Sequence, residues 1–145
     1  MKKFLLLGVG TSFALAGNIL PQNFGNCIQI SFFNKYNAPI SLNDYMQIIK
    51  KYSCDNQIIY IGIENRIPGI LKLSVNNDTK NFLLKHFKIQ NYPAAVYIDK
   101  QLQKGVIAIK LKADKTLKVL FFGTDYKQVL NYIANIDIKT IAKEL

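Results

Sequence analysis

The sequence predicts an α/β domain, a mixed β-sheet flanked by helices. Short apolar runs alternate along the chain with segments whose apolar residues recur every three or four positions. Pro93 heads the uninterrupted run Ala94-Ala95-Val96-Tyr97-Ile98, which suits a strand covered on both faces. Proline has no N–H for a sheet ladder, so it belongs at such an entrance. The segment before it, with Phe82, Leu83 and Phe87, has helical spacing.

The chain opens with "MKKFLLLGVGTSFALAG": two lysines, an apolar run and the small-x-small triplet Ala14-Leu15-Ala16. This pattern predicts a secretory signal peptide over 1–16, cleaved near Ala16, and a periplasmic or otherwise exported product. The run is short and broken by Gly8, Gly10, Thr11 and Ser12, so a retained membrane span is not expected. Residues 17–26 form an N-terminal extension and 27–145 the folded domain.

Within that domain "CIQISFF", 27–33, alternates and predicts a strand. "SLNDYMQIIKKY", 41–52, starts on Ser41 with Asp44 three residues on. Leu42, Tyr45, Met46, Ile49 and Tyr52 follow at helical spacing, predicting a helix. "QIIYIGI", 57–63, predicts a second strand. "ENRIPG" is a turn, and "ILKLSV", 70–75, a third strand. Asn77 or Asp78 caps a helix running through Lys88. After the Pro93 strand come strands over 106–112 and 117–122, joined by Ala113-Asp114-Lys115. Thr124 or Asp125 then starts a helix bearing Tyr126, Val129, Leu130 and Ile133, and the tail to Leu145 extends or follows it as a short helix.

The 145-residue chain has 19 basic and nine acidic residues, a formal charge of +10. Lys2 and Lys3 leave with the leader, and removing those two from the formal +10 leaves +8. The balance favours acidic partners. The lysines are spread through every segment, Arg66 is the only arginine, and no basic run occurs, so direct nucleic-acid binding is not expected. His86 is the only histidine and has no cysteine, serine or carboxylate at a matched spacing. No zinc spacing, phosphate loop, nucleophile elbow or carboxylate pair stands out. Helix capping explains Asp44, Asp78 and Asp125. The expectation is a non-catalytic protein with no cofactor and no metal.

The order of elements resembles the thioredoxin-like fold, and "KLSVNNDTKNFLLKHFKIQNYPAAVYIDK" is similar to its strand, short helix and proline-entry strand. That resemblance implies a cis peptide at Tyr92-Pro93, facing the reactive cysteines. At the family's CxxC position, however, this chain has "FFNKYNAPIS", 32–41, with no thiol. Cys27 and Cys54 would lie at the two ends of a strand and its following antiparallel helix that meet at one edge of the sheet. In an exported protein this favours a Cys27–Cys54 disulfide, worth roughly 3–4 kcal/mol by chain entropy; the alternative is two buried unpaired thiols.

A closer resemblance is to the TrbC family of F-type conjugative pilus assembly proteins. It is carried by "ISFF" at 30–33, "YIGIEN" at 60–65, "FKIQNYPAAVYID" at 87–99 and "FFGTDYKQVLNYIA" at 121–134. It implies an exported assembly or scaffold component of a type IV secretion or conjugative pilus system, whose partners are other envelope or pilus-assembly proteins. The aromatic loop with Phe32, Phe33, Tyr36 and Pro39, beside Tyr92-Pro93, would form the docking groove. A thiol-disulfide oxidoreductase with separated cysteines and a domain that binds an anionic envelope surface are the alternatives.

Overall fold

A computed structural model of the protein describes residues 19–34 and 46–145. The expected leader, 1–16, lies outside them. The architecture corrects the expected thioredoxin-like α/β fold. Nine strands form one sheet in the order β1-β2-β3-β4-β9-β8-β7-β6-β5, and every neighbouring pair is antiparallel. The strands are β1 (Asn23–Phe24), β2 (Cys27–Asn34), β3 (Met46–Cys54), β4 (Gln57–Glu64), β5 (Asn77–Asp78), β6 (Phe82–Ile89), β7 (Tyr92–Asp99), β8 (Lys104–Lys112) and β9 (Lys115–Phe122). A four-residue helix α1 (Gly69–Lys72) lies in the crossover from β4 to β5, and α2 (Tyr126–Ile133) and α3 (Ile138–Glu144) close the chain. The sheet begins at Asn23, inside the stretch expected to be an extension.

Three predicted elements change type. The described part of the expected helix 41–52 is strand β3, and the expected helix through Lys88 is β5 and β6. The expected strand 70–75 is α1 and the loop after it. Both misread helices end at two-residue turns without glycine: Asp55-Asn56 (φ 48° and 70°) and Gln90-Asn91 (φ 50° and 71°). Asp and Asn tolerate the left-handed conformation, and two successive positive φ values give the turn twist that pairs adjacent strands tightly. In β3, Ile49 and Tyr52 then point to opposite faces, which mimics helical spacing because both faces are apolar there.

Alternation in the central strands fixes one face of the sheet. Ile59, Phe121, Gly105 and Ile98 follow one another in register across β4, β9, β8 and β7, as do Ile61, Val119, Ile107 and Val96. All eight are buried, under α2 and α3. α2 contributes Val129, Tyr132 and Ile133, and α3 contributes Ile138, Ile141 and Ala142. Ile133 and Ile138 are fully buried and supply about 1.5–3 kcal/mol apiece. Asp125 caps α2 by accepting from the Gln128 N–H at 3.1 Å, and Asp137 caps α3 by accepting from Thr140 N–H at 3.2 Å. The side-chain amide of Gln90 donates to the Ile136 carbonyl (2.7 Å) and accepts from Ile138 N–H (3.2 Å), so the β6–β7 turn fixes the joint between the helices.

Chain 19–24 packs on the same face. Leu20 and Phe24 are buried, and the Phe24 ring meets Tyr52 edge-on with centroids 4.9 Å apart. Tyr52 Oη donates to the Pro21 carbonyl at 2.6 Å, and buried Lys50 Nζ donates to the Leu20 carbonyl at 2.8 Å. Burial holds the Lys50 pKa below its ordinary value and raises that of Tyr52.

Candidate functional site

Among the described residues, the sequence-predicted site residues stand on separate strands, β2 and β3 for the cysteines and β7 for Tyr92-Pro93. Cys27 and Cys54 are joined by a disulfide with Cα atoms 4.2 Å apart, and both are fully buried. They meet as directly opposed residues of the adjacent strands β2 and β3, not at the ends of a strand and a helix. Cys54 forms the narrow hydrogen-bonded pair with Gln57 across the two-residue turn, so on its β2 side it sits in the closely spaced, non-hydrogen-bonded kind of pair. That pairing brings the two sulfurs together in the same buried cluster as Phe24 and Tyr52.

The cis-proline expectation is corrected: no peptide bond among the described residues is cis, so Tyr92-Pro93 is trans. Pro93 is the second residue of β7 and lies opposite Lys88. Counting from the two-residue turn, this is a non-hydrogen-bonded pair, so position 93 would aim an N–H away from β6, where β8 begins pairing only at Ala94. The proline therefore removes no ladder bond, which answers why the strand tolerates it. Of the expected aromatic loop, the backbone of Phe32 and Phe33 belongs to β2, opposite Lys50 and Ile49, and Tyr36 and Pro39 lie outside the described residues.

Sequence reasoning missed the second face of the sheet. The crossover from β4 to β5 runs over one half of it. Thr116 Oγ1 donates to the Arg66 carbonyl (2.7 Å), and Lys115 Nζ donates to Asn65 Oδ1 (3.1 Å). Buried Glu64 takes Lys118 Nζ at 3.3 Å and Arg66 Nε at 3.4 Å, an arrangement that offsets part of the cost of removing the carboxylate from water. α1 packs on β7 and β8. Gly62, Ala108 and Ala95 share one row of this face with Lys118 and His86; all three are buried, and their small size lets the crossover backbone approach.

The other half is partly open: Tyr60 and Leu84 are buried, while Leu120, Val106 and Tyr97 are half-buried. One row runs Tyr60, Leu120, Val106, Tyr97, Leu84 across β4, β9, β8, β7 and β6. Beyond it, Phe122, Lys104, Asp99 and Phe82 follow in register across β9, β8, β7 and β6, and Ile58, Ser53 and Ile28 across β4, β3 and β2. Phe82 stacks on Tyr97 at 6.0 Å between centroids, and Lys51 Nζ stands 5.9 Å from the Tyr60 centroid. Ile28 is 59% exposed and Phe122 52%. The six exposed large apolar side chains among the described residues are Ile28, Ile30, Leu73, Val75, Leu102 and Phe122, and none belongs to α2 or α3. A cleft of about 480 Å³ lies at the β5–β6 edge, walled by Asp78, Leu83, Lys85, Tyr126 and Lys127. Among the described residues, no three His, Cys, Asp or Glu side chains gather as metal ligands, and no helix is long and apolar enough to cross a membrane.

Comparisons with protein-family models, curated proteins and solved structures found no match to this chain.

Proposed function

We propose that the chain is an exported, non-catalytic binding domain whose open sheet face receives a net-acidic protein partner, as an assembly component of the cell envelope would. The observation that carries this reading is the distribution of exposed apolar side chains. They are absent from α2 and α3 and include Ile28 and Phe122 on the open face. Phe122 stands beside half-buried Leu120, Val106, Tyr97 and Phe82, and an exposed apolar patch of this kind marks an interaction site. A chain of formal charge +10, or +8 without Lys2 and Lys3, repels its own copies, so an occupant of opposite charge is favoured over a second copy. The leader-like start and the Cys27–Cys54 bridge support an oxidising, exported setting. The motifs shared with the TrbC family fall on β2, β4, the β6–β7 hairpin and the β9–α2 junction, and from them we keep only export and assembly as the kind of role.

The test compares the two faces. A photo-crosslinking residue is placed at Ile28, Ile58 or Phe122, and as controls at Lys127, Asn131 or Lys139 on the helices, in the producing cell. A single acidic envelope protein captured from the sheet positions alone, and lost with Phe122→Asp, supports the reading. Equal capture from both faces, capture of lipid, or no capture from the sheet positions overturns it.

A further inference from the structure

The only histidine sits where the open face meets the crossover, and its surroundings were not foreseen from the sequence. His86 lies on β6, opposite Ala95, and is half-buried. Its Nε2 lies 2.7 Å from the Ile70 carbonyl oxygen on α1, and its Nδ1 lies 3.0 Å from Asn76 Oδ1 in the loop before β5. The amide orientation of Asn76 is fixed independently, because the same Oδ1 accepts from the His86 backbone N–H at 2.8 Å. Both ring nitrogens thus face oxygen acceptors. A neutral imidazole has one N–H and must turn a lone pair on one of the two oxygens, whereas an imidazolium donates to both. The Ile70 carbonyl belongs to the last turn of α1, where intrahelical donors run out and a cationic side chain is the natural partner.

The charged groups carried by the elements around this ring are few. β6 carries Lys85 and Lys88, α1 carries Lys72, and β5 carries Asp78, whose carboxylate is paired with Lys100. On β7 the neighbouring positions are Ala95, Pro93 and Tyr97, and the row continues through Ala108 to Lys118, which is engaged with Glu64. Among the described residues, no carboxylate lies within salt-bridge distance of the ring. The polar partners of the ring are these two oxygens.

We propose that His86 is a protonation-dependent latch that pins the β4–β5 crossover to the sheet. With the imidazole protonated, Ile70 and Asn76 are both held and the crossover lies closed over Ala95 and Ala108. With the proton lost, one of the two bonds is replaced by a lone-pair contact, and the segment 65–76 loosens at its α1 end, while the Thr116–Arg66 and Lys115–Asn65 bonds hold its start. The latch stands on its own geometry. Its consequence rests on the function proposed above: release adds the row of Ala95 and Ala108 to the open face and widens the docking surface at higher pH.

Amide hydrogen exchange of the isolated chain, expressed as protection relative to intrinsic exchange at each pH, tests this directly. Between about pH 5 and pH 8, where an imidazole changes charge, the crossover amides of 69–76 are expected to lose about tenfold in protection, the weight of one hydrogen bond to a charged group. The β8–β9 amides stay unchanged. His86→Gln abolishes the pH dependence, and Asn76→Ala, at an exposed position, reduces it if the glutamine variant fails to fold. Equal crossover protection at both pH values, or a fall that persists in His86→Gln, overturns the latch. No partner is present, so this failure is distinct from failure to capture a partner on the open face.

Discussion

Removing the Cys27–Cys54 bridge is the sharpest test of how the first half of the sheet is held. Both sulfurs are fully buried, so serine would leave hydroxyls in an apolar site, and the clean perturbation is Cys27→Ala with Cys54→Ala. The bridge closes a loop with a sequence separation of 27, for which the chain-entropy relation gives about 3.5 kcal/mol at room temperature. The bridged positions are already directly opposed by the β2–β3 ladder, so the native sheet needs no rearrangement when the bond is absent. The loss therefore arises in the unfolded chain, which regains the freedom of the intervening residues. For a domain of this size it corresponds to a fall in Tm of roughly 10–15 °C. Urea unfolding followed by circular dichroism measures it, with the slope expected to rise as the unfolded state expands. A loss under about 1 kcal/mol with the sheet intact, or a non-reduced digest in which the two cysteine peptides separate, would refute the reasoning.

Three further outcomes are expected. A Cβ at Gly105 would lie 2.2 Å from Phe121 Cζ, so Gly105→Ala displaces that ring and costs about 1–3 kcal/mol by overpacking, measured by the same unfolding curves. Phe122→Ser, half exposed on the open face, changes stability by no more than about 0.5 kcal/mol while abolishing crosslinking to the partner, which separates docking from folding. The two buried titrating groups beside residues 20–21 act in opposite directions. The folded-state pKa of Lys50 is depressed, so its burial penalty is fully present at low pH and relieved as pH rises toward 10.5, and stability climbs there. The folded-state pKa of Tyr52 is raised, so its contribution is intact below 10.0 and lost above it. Lys50→Met removes the climb and Tyr52→Phe removes the alkaline fall, read from unfolding free energies against pH.

Short apolar runs bounded by turn residues were legible as strands from the sequence. Residues 57–63, 106–112 and 117–122 appear as strands where expected, short β-rich runs bounded by turns, as does α2 behind its Asp125 cap. The misread segments share a physical cause. β3 and β6 place apolar residues on both faces, since Ile49 and Leu84 are buried on the second face while Tyr52 and Phe87 pack on the first. Two overlapping periods of two then imitate one period of three to four. The turns that would have arbitrated, Asp55-Asn56 and Gln90-Asn91, lack the glycine that usually marks such hairpins. The open face could not be found in advance because it is a property of registration across five strands, and His86 gained its partners only through the path of the crossover.

The pairing of β4 with β9 also governs when the molecule can exist. β1 to β4 and β5 to β9 are each local meanders that can zip as they are made, but the seam between them joins residues such as Glu64 and Lys118, 54 positions apart. Until the last strand is delivered, β4 has an unsatisfied backbone edge flanked by Ile59 and Ile61, the kind of template on which foreign strands grow. The chain thus spends its early life as an incomplete sheet whose aggregation hazard ends with the arrival of residues 115–122. Truncation before β9 should yield an insoluble product even though most of the strands remain.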